Sequence, residues 1–170
     1  LMFANNNPDI VFWRPDTHQL QVWNMRREAR LETWVLGTSL QPVGVDAFTG
    51  RFENDIVVYN SANGAVSFTS LSGGMVGLSG APPLPLNWKL SATADFNADG
   101  KPDIVWRNFT SQKIVIWTMN GTTKLGNIIP TPDQAVDPNW EIVGAFDMNN
   151  DGATDFLWYN YSSGRIVTWY

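Results

Sequence analysis

One pattern occurs four times along the chain: an aspartate, a short run of β-branched and aromatic residues, a turn of about five residues, and a second apolar run. After Asp103 it reads IVWRN, FTSQK, IVIWTM; after Asp155, FLWYN, YSSGR, IVTWY; after Asp55, IVVYN, SANGA, VSFTS; after Asp9, IVFWR, PDTHQ, LQVWNM. The four aspartates stand 46, 48 and 52 residues apart, close to the roughly 40–50 residues of units built from four short strands. Such a unit cannot bury both of its faces alone, so the copies must stack on one another.

Two further strands complete each unit. NWKLSATADF and NWEIVGAFD precede the third and fourth copies, with Trp88 and Trp140 seven residues before Asp95 and Asp147. A more variable strand fits LETWVLG, GGMVGLS and TKLGNII. Gly64 and Gly164 share one hairpin position, which predicts a positive φ there. Short strands, turn residues between them and no helical periodicity argue all-β, and four antiparallel strands per repeat argue β-propeller blades. The units span about residues 1–38, 39–86, 87–138 and 139–170, or about three and a half blades. MRREARLE, Met25 to Glu32, is the one helix-like run and is expected in a strand connection. The array is open at both ends, and open edges invite pairing. The expectation is that a longer polypeptide or another chain completes the ring.

Composition excludes several functions. The chain has 170 residues, 44% hydrophobic and 16% charged, as a folded protein should. A net charge of -5 leaves no basic stripe for nucleic acid. No apolar run reaches the roughly 18 residues of a membrane span. With no cysteine, disulfides, thiolate zinc sites and cysteine nucleophiles are excluded. His18 is the single histidine and falls in a hairpin turn, G-x-S-x-G is absent, and Glu28 and Glu32 read as surface charge, so no catalytic residues are assigned. Sequons begin at Asn108, Asn120 and Asn160, as chance allows in a chain so rich in Asn, Ser and Thr.

The segments before the last two copies carry chemistry. DFNADGKPD (Asp95 to Asp103) and DMNNDGATD (Asp147 to Asp155) share the frame D-x-N-x-D-G-x-x-D. Oxygen donors at positions 1, 3, 5 and 9, a backbone carbonyl at 7 and a glycine at 6 suit a calcium cage. The ligands would be Asp95, Asn97, Asp99, the Lys101 carbonyl and Asp103, and Asp147, Asn149, Asp151, the Ala153 carbonyl and Asp155. Position 12 holds Trp106 and Trp158, which rules out an EF-hand. Three converging carboxylates repel one another unless a divalent cation lies between them. The plain alternative is a polar turn whose Asp and Asn side chains bond their own backbone. The first copy offers Leu1, Phe3, Asn5, Asn7 and Asp9, and the second Ala47, Thr49, Arg51, Glu53 and Asp55, which is too few oxygens. About two calcium ions per chain are therefore expected, in a structural role. Arg51 either supplies the missing positive charge beside Glu53 and Asp55 or faces solvent.

These residues resemble the FG-GAP (VCBS-type) calcium-loop repeats of integrin α-subunit propellers and of many secreted bacterial proteins. The resemblance implies a secreted or cell-surface, calcium-stabilised propeller that binds a glycan or an extracellular protein, as lectins and adhesion receptors do. The alternatives are a structural module without a ligand and an accessory part of a secreted polysaccharide-degrading enzyme. Among the nine tryptophans, Trp106, Trp117, Trp158 and Trp169 recur at fixed strand positions, which favours packing between blades over stacking on sugars. Trp13, Tyr59, Arg107 and Tyr159 share one position that varies between copies, and alternation turns them toward a groove or the other face of the blade.

Overall fold

A strand that is apolar on both faces must be covered on both sides, and the run after each recurring aspartate is such a strand. The computed structural model describes residues 9–24, 29–50, 55–69, 74–135 and 137–170 and resolves them into four antiparallel sheets. The first holds β1 (Asp9–Arg14), β2 (Gln19–Asn24) and β3 (Ala29–Val35). The second holds β4 (Leu40–Asp46), β5 (Asp55–Asn60), β6 (Val66–Thr69) and β7 (Met75–Gly77). The third holds β8 (Trp88–Ala94), β9 (Asp103–Asn108), β10 (Ile114–Asn120) and β11 (Thr123–Ile128). The fourth holds β12 (Trp140–Phe146), β13 (Asp155–Asn160) and β14 (Ile166–Trp169). Strand order follows chain order within every sheet, and β4, β8 and β12 lie side by side at the inner edge.

The sheets stack face to face. In the third, Ile104, Trp106, Trp117 and Met119 pack against Phe48, Val57, Tyr59, Val66 and Phe68 of the second. Its other face sets Val105, Ile114 and Ile116 against Ile142, Phe156 and Trp158 of the fourth. Ile56 and Val58 of the second sheet meet Leu20 and Val22 of the first. All six residues of β9 are buried as a result. The recurring tryptophans lie in these seams: Trp106 packs on Trp117 at 5.1 Å between ring centroids and Trp158 on Trp169 at 4.6 Å. The outer faces of the end sheets leave Phe12, Trp23, Val143 and Ile166 exposed.

Each pair of inner strands carries a bulge at the same place, between Pro42 and Gly44, Leu90 and Ala92, and Ile142 and Gly144. The hairpin after each second strand is also repeated. Its left-handed position is occupied by His18, Gly64, Gln112 and Gly164, at φ of 52°, 75°, 64° and 70°. In three copies the preceding asparagine closes the turn: the side-chain oxygens of Asn60, Asn108 and Asn160 accept backbone N–H bonds from Ala62, from Thr110 and Ser111, and from Ser162 and Ser163. Asn108 and Asn160 are buried in this task, so two of the three sequons are turn residues.

The helix-like reading of Met25 to Glu32 is corrected over its second half. Residues 29–32 begin β3, which pairs with β2, and residues 25–28 lie outside the described residues. Helix propensity is a weak determinant, and here it yields to strand pairing at a sheet edge. Among the described residues no helix is long and apolar enough to cross a membrane.

The glycine positions give a graded prediction. A Cβ on Gly64 would stand 1.9 Å from the Leu84 carbonyl oxygen, whereas one on Gly164 meets nothing within 4 Å. Gly164→Ala should cost only the left-handed strain, about 1–2 kcal/mol, and Gly64→Ala clearly more, because backbone must move. Denaturant melts of the two variants check the order, and equal midpoints would contradict it.

Candidate functional site

The two acidic loops leave β8 and β12 at the same end of adjacent sheets and share one conformation. The fourth loop position is left-handed in both, at Ala98 (φ 59°) and Asn150 (φ 61°), and the glycine at the sixth position is left-handed at Gly100 (φ 80°) and Gly152 (φ 89°). These turns fold the loop's own N–H groups onto its first three polar side chains. Asp95 accepts from Asp99 N at 3.2 Å and Gly100 N at 2.7 Å, Asn97 Oδ1 from Asp99 N at 3.0 Å, and Asp99 from Lys101 N at 2.9 Å. The fourth copy repeats this: Asp147 accepts from Asp151 N and Gly152 N, Asn149 Oδ1 from Asp151 N, and Asp151 from Ala153 N. The Asn97 and Asn149 amides each donate to the carboxylate two residues on.

The ninth-position aspartate behaves differently. Asp103 is fully buried; its Oδ2 accepts from Phe96 N at 3.0 Å and its Oδ1 from Met119 N at 2.9 Å. It therefore pins the loop entrance to the third strand of its own sheet. Asp155 accepts from Met148 N at 2.8 Å, while its Oδ1 is buried without a partner. In the second copy Thr49 occupies Asp55 with both its N–H and its hydroxyl, at 2.6 and 2.8 Å. Arg51 and Glu53, with the first copy's Leu1, Phe3, Asn5 and Asn7, lie outside the described residues, as does the side chain of Asp9.

Burial pushes the Asp103 carboxyl above its usual value; the N–H groups of Met119 and Phe96 pull it down, and Asp99 and Asp95 push it up again. Because the folded value is raised, this group favours folding at low pH, and that contribution is lost as pH rises above 3.8 and through the raised value. A cation beside Asp95, Asp99 and Asp103 would reverse the penalty. The donor set is hard, carboxylate, amide and carbonyl oxygen, as calcium requires. Among the described residues no three Asp, Glu or His side chains already converge as a metal cage. A bound ion would thus compete with the loop's own N–H bonds for the same oxygens.

The four recognition candidates do not form one surface. Tyr59 and Arg107 are largely buried, and each packs on the neighbouring sheet's tryptophan: Tyr59 edge-on to Trp106 at 6.3 Å, Arg107 over Trp158 at 5.4 Å. Trp13 is half-buried against the Ile56 and Val58 cluster, and Tyr159 meets Tyr161 edge-on. Tyr59 and Arg107 do form part of two clefts between sheets. One, of about 280 Å³, adds Gln41, Ser61, Trp88, Lys89 and Phe109. The other, of about 190 Å³, adds Lys89, Phe109, Gln112 and Glu141. The sequence gives no signal for Lys89, Phe109, Gln112 or Glu141, because each cleft is made from two repeats. A third cavity, of about 510 Å³, lies between the segment 132–135 and the indoles of Trp140, Trp158 and Trp169.

The latch is testable apart from any metal. Asp103→Ala leaves two N–H donors unpaired, one of them buried, at a cost of roughly 1–3 kcal/mol each. Loss of stability in calcium-free buffer is the expected result of a urea melt, and an unchanged midpoint would show that the two bonds carry no weight.

Residues 95–158 match the family model of the FG-GAP-like repeat. No curated protein matches the chain. Among solved structures it is similar to a protein of unknown function from Bacteroides caccae, at 12% identity and TM-score 0.53 over 94% of this chain and 71% of that one. It is also similar to virginiamycin B lyase from Staphylococcus aureus, at 14% identity and TM-score 0.53 over 96% of this chain and 52% of the lyase, so it spans about half of that protein's length. At such identities the likeness is one of fold, and the neighbours are β-propeller-like. The repeat by itself implies no catalysis. The chain is an all-β array of propeller-like blades, and residues 95–158, which contain both acidic loops, match the model of the FG-GAP-like repeat.

Proposed function

We propose that this chain is a calcium-stabilised propeller module, secreted or at a cell surface, that binds a glycan in the clefts between its sheets and performs no catalysis. The observation that carries the calcium half is the likeness of the two loops: the same four polar side chains at positions 1, 3, 5 and 9, the same left-handed turns, and carboxylates that are exposed at Asp99, Asp147 and Asp151 and half-buried at Asp95. The described part of the second loop offers only Thr49 and an Asp55 already taken by it, which supports two ions per chain. The glycan half is supported by clefts that combine aromatic rings, Tyr59 and Phe109, with Gln41, Ser61 and Lys89. An apolar ring face beside a few hydrogen-bonding groups suits a polyhydroxylated ring better than an apolar ligand. A purely structural module is the second reading, favoured by the way each loop satisfies its own N–H groups without a metal.

Calcium at a hundredfold excess over its Kd should add about 2.7 kcal/mol per site, so EGTA should lower the melting temperature and calcium restore it. Calorimetry should count two ions per chain, and one in Asp99→Ala or Asp151→Ala. Identical melting curves with EGTA and with calcium would refute the metal assignment. Silence across a glycan array would remove the ligand and leave the structural reading.

A further inference from the structure

The two clefts occupy equivalent places in the repeat but differ in charge. Between the second and third sheets the walls are neutral apart from Lys89. Between the third and fourth they carry Lys89 and Arg107 on one side and Glu141 on the other. Arg107 is buried, and among the described residues no carboxylate lies within 4.0 Å of it. Its Nη1 donates to the Trp140 carbonyl and its Nη2 to the Gln112 side-chain oxygen, while its Nε is buried with no partner. Burial lowers its pKa, and Glu141 and Asp137, acting from a distance, offset only part of that effect. The Asp137 carboxylate is taken up by Asn139 and Asn160, and Glu141 stands beside the Tyr161 hydroxyl. Lys89 extends its ammonium over the Phe109 ring, 5.2 Å from the centroid, at the same opening.

A buried guanidinium with an unused donor and no close counter-ion, joined by a second cation, is a site short of one negative charge. A half-exposed phenyl ring beside them offers an apolar platform, and Gln112, Ser91 and Glu141 offer hydrogen bonds to hydroxyl groups. Resting on the glycan-binding reading, we propose that this cleft takes a uronic-acid unit of an acidic polysaccharide. Its carboxylate lies between Lys89 and Arg107, one face of its ring rests on Phe109, and its hydroxyls meet Gln112 and Glu141. A volume of about 190 Å³ holds a single sugar ring, so one unit is recognised rather than a long segment.

The test is calorimetric titration of the calcium-loaded protein with tetragalacturonic acid, its methyl ester and tetraglutamate. The acid should bind at least about tenfold more tightly than the ester, since a charge-assisted hydrogen bond of this kind is worth that much. Lys89→Gln, an exposed change that leaves the core intact, should weaken the acid several-fold and the ester by clearly less. Arg107→Lys should do the same, with its melting curve confirming the fold. Equal binding of acid and ester, or unchanged binding by both variants, overturns the acidic specificity while the glycan reading stands. Binding of tetraglutamate as tight as that of the sugar acid overturns the choice of polysaccharide. Binding of none of the three, together with silence on neutral glycans, overturns the glycan reading and this inference with it.

Discussion

The aspartate that opens the second strand of each blade, buried at Asp55, Asp103 and Asp155, is the constraint on which the rest depends. A carboxylate buried without hydrogen bonds would be prohibitively costly, so the backbone around it must present N–H groups. In the third blade these come from the loop entrance at Phe96 and from the third strand at Met119. That requirement draws the loop back over the strand end and fixes where β8 stops and β9 begins. It also carries the side chain at the loop's second position inward: Phe48 packs on Phe68 at 4.8 Å, and Phe96 on Phe156 of the next sheet at 5.1 Å. One polar residue thus determines loop geometry, strand register and part of the packing between blades.

Packing then follows from alternation. Counting the aspartate as the first residue, the fourth faces back to the preceding blade and the fifth faces forward to the next, so Tyr59 reaches Trp106 and Arg107 reaches Trp158. Four of the unpartnered buried atoms among the described residues belong to these same contact pairs: the Tyr59 hydroxyl and the Trp106 indole N–H, and the Arg107 Nε and the Trp158 indole N–H. Polar atoms in the seam keep neighbouring blades from closing into a uniformly apolar interface, and the clefts open beside them. A backbone link reinforces the outer rim, where Ser79 and the segment at Thr122 and Lys124 exchange hydrogen bonds of 2.9 Å across the second and third blades.

What the sequence revealed and what it hid divide along the same line. The hairpin glycines, the asparagine at the end of the second strand, the loop frame and the tryptophan positions act within one repeat, so recurrence exposed them. The left-handed position shared by His18 and Gln112 escaped notice because neither is glycine, although both occupy the register of Gly64 and Gly164. Alternation turns Tyr59 and Arg107 toward a groove or the other face of the blade; both are largely buried side chains at the walls of clefts between sheets. Their role depends on a neighbouring blade about fifty residues away, which no local pattern encodes. The run at residues 29–32 misled for the opposite reason, since its Ala, Arg, Leu and Glu are good helix formers and only pairing with β2 makes them a strand.

Charge is distributed along the blades with a consequence for any ligand. β8 begins at Trp88 and Lys89, beside the clefts, and ends at Ala94, beside the acidic loop. Seven residues at about 3.3 Å each separate the two sites by roughly 20 Å. That is beyond the Debye length of about 8 Å at physiological salt, so an ion in the loop exerts little direct field on the cleft. Loop and cleft are joined instead by β8, whose loop end Asp103 holds through the Phe96 N–H. Order in the acidic loop therefore reaches the cleft as geometry: Asp103 ties the loop entrance at Phe96 to Met119 of β10, and β8, which ends at that entrance, carries Lys89 at its far end.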